Sequence, residues 1–279
     1  MDGVEVGPAL LPDTLSAEEV RQGLDTAFIG QTVFYWPSVD STNEEARRLA
    51  GLGAPEGTLV LADHQTAGRG RLGRRWEAPP GSSLLISVIL RPHLGAPQIH
   101  RLTMIAGLAM AEAIEAETGL WVALKWPNDL LIGEAKVGGV LAEAALVGDR
   151  VEYAVVGLGL NVNLDPTQLP GPLLAAASSL SQALGRRVAR RPLLQAFLRA
   201  LERRYQQLQT GILPHREWAG RLTMLGRPVI VTVGEEVLEG VAEGVDGDGA
   251  LLVRLADGSL RLVVAGDVTS VRKQRDPAS

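Results

Sequence analysis

Thirteen residues, His64 to Trp76 (HQTAGRGRLGRRW), restrict the architecture more than any other stretch of the chain. Three glycines free the backbone to bend and to approach a ligand, and four arginines supply planar, permanently charged forks. Such a segment is poor material for a core, so the chain on either side must supply the scaffold. Both flanks do. Thr58 to Ala62 and Ser83 to Leu90 read as buried strands, and the loop is therefore framed by a sheet. A segment of this kind wraps an anionic group and excludes water, which makes a phosphorylated substrate the first expectation.

The other basic positions sharpen that reading. Of 27 basic residues only three are lysines, Lys125, Lys136 and Lys273. Two of them sit 11 positions apart in KWPNDLLIGEAKVGG, Lys125 to Gly139. Where arginine is the default cation, a retained lysine marks a place that wants a compact, mobile ammonium.

At 279 residues the chain suits one large domain plus a small one. A net charge of −5 argues against nonspecific nucleic-acid binding as the main task, so the arginine loop is a local feature of an acidic protein. Without cysteine there are no disulfides, no thiol catalysis and no thiolate-bound zinc. The four histidines (64, 93, 100 and 215) are scattered without metal-ligand spacing. The N-terminus lacks a basic leader, and no apolar run reaches the length of a membrane span. No membrane association is expected, and the cytoplasm is the expected compartment.

Along the chain, a Ser16 cap precedes a short helix over 17–24, and Gln31 to Trp36 reads as a strand. Ser41 to Glu44 reads as a capping box opening a helix that runs to about Leu52. A long helix is predicted over 98–118, with Leu102, Ile105, Ala106, Ala109, Met110, Ala113 and Ile114 keeping the 3.6 period and Gly119 ending it. Glu112 to Glu117 reads as a solvated helix face. Leu120 to Lys125 is a strand ending at Trp126-Pro127-Asn128-Asp129. Lys136 to Ala145 and Val151 to Leu160 form a predicted hairpin about Gly148-Asp149. A Pro-rich loop over 165–172 is followed by helices at about 175–184, 191–209 and 214–224. From Gly226 the texture changes to short strands over 228–233, 237–244, 250–255 and 259–264, which fits a small β-barrel. The expected class is α+β: a mixed central sheet with flanking helices, followed by that barrel. The expected divisions are an extension over 1–30, a catalytic domain over 31–225, the barrel over 226–272 and a frayed tail over 273–279.

Several motifs can be weighed on chemistry. Gly68 to Gly73 spells G-x-G-x-x-G, but Arg74 to Pro80 cannot readily start a helix, so the dinucleotide fingerprint fails. No Gly-Lys-Ser/Thr follows, so the loop is not a phosphate-binding Walker loop either. Asp246 to Gly249 lacks the acidic twelfth position of a calcium loop and reads as a hairpin turn. Ser41 and Thr42 are candidate helix caps, yet a helix start with hydroxyls and N–H groups also receives small polar ligands. Asn128-Asp129 places a carboxylate at a strand end, or simply forms a turn. The glycines of GLGLNVN, Gly157 to Asn163, imply close approach of a ligand or a second backbone.

Taken together, DSTN (Asp40 to Asn43), GRGRLGRRW (Gly68 to Trp76), KWPNDL (Lys125 to Leu130), KVGGVLAE (Lys136 to Glu143) and GLGLNVN resemble, in content, order and spacing, the signatures of biotin protein ligases. The likeness runs from about residue 33 to 272. It implies that biotin and ATP form biotinyl-5′-adenylate and pyrophosphate. A lysine on the biotin carboxyl carrier protein of acetyl-CoA carboxylase then takes the biotinyl group and releases AMP.

By the same resemblance, biotin would be held by Ser41, Thr42, Asn43, Gln65, Gly68, Arg69, Gly70, Arg71, Lys136, Gly139 and Gly157. The nucleotide would be held by Arg69, Arg71, Trp76, Lys125, Asn128, Asp129, Lys136 and Asn161. Lys136 and Arg69 would stabilise charge in the first step, and Asp129 would orient the attacking lysine in the second. Magnesium would ride on the ATP phosphates near Asn128 and Asp129, keeping several waters.

Two departures stand out. Family members with a DNA-binding winged helix carry a longer stretch before the DSTN motif, whereas 39 residues precede Asp40 here. A ligase without repressor function is therefore expected, with no DNA partner and with a sheet-edge homodimer as an option. Gly138 stands where many relatives have alanine. Competing readings are a lipoate ligase, whose usual glycine run after paired arginines is missing, and a nucleic-acid-binding regulator, which the acidic C-terminal segment disfavours.

Overall fold

The computed structural model describes residues 13, 15–168 and 177–270. The expected tail over 273–279, and residues 169–172 of the Pro-rich loop, lie outside the described residues.

Two sheets form the frame. The first has seven strands: β1 (Val33–Trp36), β2 (Leu59–Ala62), β3 (Ser83–Leu90), β4 (Ala123–Lys125), β5 (Asp129–Ile132), β6 (Ala135–Val147) and β7 (Arg150–Asn161). Their spatial order is β1-β2-β3-β7-β6-β5-β4. Only β1 and β2 are parallel, so the sheet is mixed, as expected. The parallel pair requires a crossover, which helix α2 (Thr42–Gly51) provides.

Alternation along the strands assigns the two faces. Leu59 and Leu61 of β2, and Leu84, Ile86, Val88 and Leu90 of β3, join the main core. Above them lies α3 (His100–Thr118), whose predicted apolar positions are all buried and which Gly119 ends in the left-handed region. Helix α5 (Arg190–Gln209) packs against α3. On the opposite face α2 lays Ala46, Leu49 and Ala50 on Val60, Ile89 and Val155. That helix is only 10 residues long, and the rest of the face stays open to receive something else.

Short helices complete the domain: α1 (Ala17–Arg21), α4 (Leu180–Leu184) and α6 (His215–Arg221). Ser16 caps α1 as expected, its hydroxyl accepting from the Glu19 N–H at 3.1 Å. The second capping box is not made. Ser41 occupies the cap position of α2 without a side-chain cap bond, and Gln65 Oε1 separately accepts from the Thr42 N–H at 2.7 Å. The Glu112–Glu117 face is likewise more than solvated: Glu112 pairs with Arg203 and Arg204 of α5. Glu115 pairs with Arg221 of α6 and accepts from the Val122 N–H. Burial would raise the Glu115 carboxyl, but its hydrogen bonds to Arg221 and Val122 outweigh that and hold it below the ordinary range.

The second sheet contains β8 (Pro228–Val233), β9 (Glu236–Val245), β10 (Leu251–Leu255), β11 (Leu260–Val263) and β12 (Asp267–Ser270). It is antiparallel in the order β11-β10-β9-β8-β12. No pairing joins β11 to β12, so the expected barrel is an open sheet as far as hydrogen bonding goes. Its inner residues Val229, Val231, Leu251, Val253 and Val263 continue the main core. Trp126 Nε1 donates to Gly249 O at 2.9 Å across the junction. No described helix is long and apolar enough to cross a membrane.

One buried cation ties the frame together. Arg190, 2% exposed at the start of α5, lies 3.0 Å from Asp13 and 2.9 Å from Asp63, and donates to Ser83 O at 3.1 Å. Asp63, just beyond β2, also accepts from Tyr35. Arg190→Ala would leave two carboxylates facing a void, a change expected to cost about 3–5 kcal/mol in urea unfolding. Arg190→Lys should not restore the loss, because a point charge cannot span three acceptors.

Candidate active site

The floor of the open face follows from strand register. Ser87 of β3 pairs with Gly157 of β7, which pairs with Leu141 of β6. One step along, Leu85 pairs with Gly159, Gly159 with Gly139 and Gly139 with Asp129. Three glycines therefore point at this face. A β-carbon at Gly157 would stand 1.9 Å from Asn43 Oδ1, and one at Gly159 would stand 2.5 Å from the Trp76 ring. The close approach expected at these glycines is made by two side chains of the protein itself.

A polar chain crosses this floor. Gln65 Oε1 accepts from the Thr42 N–H and from the Thr42 hydroxyl at 3.0 Å. Ser87 Oγ lies 2.9 Å from Thr42 Oγ1 and 2.7 Å from Asn43 Oδ1. Asn43 Nδ2 donates to Glu143 at 2.8 Å. Ser41, Thr42, Asn43 and Ser87 are all buried. The DSTN segment and the stretch leading into the arginine loop run side by side, with Thr66 Oγ1 donating to Asp40 at 2.7 Å and the Thr66 N–H to Val39 O. That is how two distant motifs converge.

The loop folds back on itself: the Gly70 N–H reaches Arg74 O at 2.7 Å, and the Trp76 N–H reaches Gly68 O at 2.9 Å. Each arginine has a partner. Arg69 pairs with Glu44 and Glu143, Arg74 pairs with Asp267, and Arg75 donates to Thr66 O. Arg71 donates to Gly266 O at 3.3 Å and is half-buried, and desolvation lowers its affinity for its proton. The same loop thus touches α2, β6 and the C-terminal sheet. Trp76 Nε1 is buried and finds no partner among the described residues.

Opposite the loop, Lys136 Nζ lies 2.6 Å from Asp129 Oδ1. Both project over Gly139, where a β-carbon would come within 3.4 Å of the carboxylate and 3.5 Å of the ammonium. The ammonium stands 5.8 Å from the Trp76 ring centroid. Asn128 turns its amide inward to Val140 O at 2.7 Å, after a cis Trp126–Pro127 bond. Asn161 donates to Ser178 O at 3.1 Å.

These groups line one cavity of about 620 Å³, within the usual range for small-molecule sites. Ser41, Thr42, Asn43, Gln65, Arg69, Gly70, Arg71, Trp76, Lys125, Asn128, Asp129, Lys136, Gly139, Gly157 and Asn161 all contribute to its wall. Gly68 does not. It is buried behind the wall, where a β-carbon would meet Trp76 O at 2.4 Å. Sequence reasoning missed Ser87, Glu143 and Asp267. A lone inward serine in the apolar strand SLLISVIL was a readable signal for the first. Asp267 sits on β12, which the strand pattern did not reveal.

Residues 35–161 match the biotin/lipoate A/B protein ligase family, and residues 224–269 match the biotin protein ligase C terminal domain. The chain is 37% identical over 259 residues to the bifunctional ligase/repressor BirA of Bacillus subtilis, covering 92% of this chain and 79% of that one. It is 37% identical over 220 residues to the biotin–[acetyl-CoA-carboxylase] ligase of Paracoccus denitrificans, covering 77% and 91%. The structure of the biotin protein ligase from Aquifex aeolicus in complex with biotin and ATP aligns with a TM-score of 0.73 at 29% identity, over 87% of this chain and all of that one.

The glycine floor has a direct test. Gly157→Ala should cost about 1–3 kcal/mol in urea unfolding, by forcing Asn43 from its place. The same substitution in an Asn43→Ala background should cost distinctly less, because the clash partner is gone.

Proposed function

Because the chain belongs to the biotin protein ligases of the biotin/lipoate A/B protein ligase family, we propose that it joins biotin to a lysine of a biotin carboxyl carrier protein in two steps. The observation that carries this reading is one cavity whose wall divides between a buried, uncharged polar cluster and a cationic set, the arginine loop and Lys136. Biotin has the same division, a neutral ureido head and an anionic tail.

The head group meets Ser41, Thr42, Asn43 and Gln65, with Ser87 behind them. Ser41 is suited to this because its hydroxyl is not spent on capping α2. The biotin carboxylate extends toward Lys136. In the first step a carboxylate oxygen attacks the α-phosphorus of ATP and pyrophosphate leaves. Negative charge then grows on the phosphoryl oxygens, and Lys136, Arg69 and Arg71 are the cations at hand. Lys136 has three donors and spends one on Asp129, so it keeps two for oxygens whose charge shifts. The Trp76 face and its unpartnered Nε1, with Asn128, Lys125 and Asn161, form the wall assigned to the nucleotide.

Among the described residues no three metal-ligating side chains converge, and Asp129 is already committed to Lys136. The residues present do not form a protein metal cage, so magnesium is assigned to the triphosphate and no step is derived through it. In the second step the carrier lysine attacks the acyl carbon of the mixed anhydride, and AMP departs. Asp129 has two tasks in this reading: it steadies Lys136 before adenylation and offers an oxygen to orient the incoming amine. A free lysine with a pKa of about 10.4 is neutral in roughly 1 molecule of 2,500 at pH 7, so a well-placed acceptor matters. The net charge of −5 favours a protein partner over DNA.

ATP–pyrophosphate exchange tests the first step. Exchange should require biotin, fail with lipoate, and fall about 10²–10³-fold in Lys136→Ala, the usual loss for one preorganised donor. Exchange that is absent with biotin, or untouched in the variant, would sink the assignment.

A further inference from the structure

Glu143 stands outside the cavity wall and outside every role assigned above, yet it touches both halves of the site. It projects from β6 at the edge of the glycine floor, a quarter exposed. Its Oε2 accepts from Asn43 Nδ2 at 2.8 Å, and its Oε1 lies 2.8 Å from an Arg69 nitrogen. Asn43 belongs to the polar chain under the head-group end. Arg69 belongs to the loop at the phosphate end.

We propose that Glu143 is a positioning residue shared by the two subsites. One oxygen fixes the Asn43 amide and the other holds Arg69, which also pairs with Glu44 of α2, so that filling the head-group subsite and ordering the loop are coupled through the one side chain that contacts both groups directly. The inference rests on the reading of the cavity as a biotin and ATP site.

The polarity of the hydrogen bonds carries the first half. An ionised carboxylate only accepts, as does the Leu141 carbonyl 3.3 Å from the same nitrogen, so the two commit Asn43 to present Nδ2 to β6 and Oδ1 to Ser87, with Glu143 the nearer partner. The Ser87 proton is then directed at Asn43 Oδ1, and the Thr42 hydroxyl is left as the donor, toward Gln65 Oε1 or Ser87 Oγ. A flipped Asn43 would set its carbonyl against the carboxylate. Glu143, backed by the Leu141 carbonyl, therefore biases which groups along Gln65, Thr42, Ser87 and Asn43 offer protons and which offer lone pairs. A ureido head, with two N–H donors and one carbonyl, is sensitive to that order.

The second half is a matter of shared ordering. Freezing a glutamate costs side-chain entropy whichever partner does it. Once Asn43 has fixed the carboxylate, Arg69 finds a stationary acceptor without paying that cost again, and the reverse holds equally. Ligand that steadies the Asn43 end thereby steadies the loop end.

Two substitutions separate the halves. Glu143→Gln keeps a carbonyl for Asn43 but turns an NH₂ toward Arg69, which the guanidinium cannot accept. Glu143→Ala removes both contacts. Biotin affinity is measured by calorimetry, and loop order by tryptic cleavage within residues 69–75 at saturating biotin, with fragments identified by mass. Biotin should slow that cleavage several-fold in the wild type. Glu143→Ala should weaken biotin about tenfold, while Glu143→Gln stays within about threefold, as expected for one hydrogen bond lost or kept. In Glu143→Gln saturating biotin should no longer protect the loop.

Unchanged affinity in Glu143→Ala would overturn the proposal, and so would full protection in Glu143→Gln. A wild type that neither binds biotin nor supports biotin-dependent exchange would instead indict the functional reading itself. The two failures are distinguishable, because one shows in the wild type and the other only in the variants.

Discussion

Two positions on β7 without a β-carbon govern where everything else in the site sits. On a pleated sheet every second residue projects toward the same face, so Gly157 and Gly159 open a shallow trough along one strand. Asn43 lies in one half of it and Trp76 in the other, each within a contact distance that no larger residue would allow. With Asn43 seated there, the polar start of α2 is buried and its hydroxyls face the cavity rather than solvent. With Trp76 seated there, the end of the arginine loop is pinned to the sheet, so the loop bridges a rigid floor instead of drifting above it. The third glycine, Gly139, extends the trough to the Lys136–Asp129 pair.

The same floor explains the division of labour among cations. Arginine is the default basic residue of this chain, and loop arginines reach carboxylates and carbonyl oxygens on three different elements. A planar fork suits that task because it bridges fixed acceptors. Lys136 does something else. It is clamped by one carboxylate at one point and otherwise faces the cavity, so its remaining protons can follow oxygens that move during a reaction. The lysine is retained where geometry has to change.

Most of the frame could be read from residue order, and the failures are instructive. Long periodic segments announced themselves: β3, α3, the β6–β7 hairpin and α5 lie where apolar periodicity placed them. The strands β5 and β12 did not, for different reasons. Asp129 to Ile132 follows a proline-containing turn, and its four residues are too few to show alternation. Asp267 to Ser270 is a polar edge strand that, among the described residues, pairs with β8 alone, so its pairing depends on a distant partner rather than on local pattern. The cap of α2 was misread for a similar reason. Ser41 has the right local chemistry and occupies the cap position, yet its hydroxyl makes no cap bond, and the first N–H of the helix, at Thr42, is met by Gln65 from 23 positions away. Motifs announced the wall of the cavity. They did not include Ser87, and although Glu143 closes the KVGGVLAE motif they gave it no role, because the importance of both lies in what they touch across strands.

How firmly each part of the site is held follows from exposure. The head-group cluster is buried, and breaking one of its bonds would strand a polar group away from water, a penalty of about 1–3 kcal/mol. The loop is held differently. Its pairs, Arg69 with Glu44 and Arg74 with Asp267, are 34–66% exposed, and ion pairs of that kind contribute about 0–1 kcal/mol each. Carboxylates that neutralise the loop so weakly are readily exchanged for phosphate oxygens, which carry more charge. Asp267 and the Gly266 carbonyl belong to the C-terminal sheet, so that exchange also alters how the loop leans on the second sheet. Under the proposed function, a stiff floor beneath a loop held by replaceable ion pairs would let the cavity recognise a neutral head before it gathers the charged end. The proposed reaction has to hold a reactive anhydride away from water until the carrier protein arrives, and under that proposal the difference in bond strength would set the order of those two events.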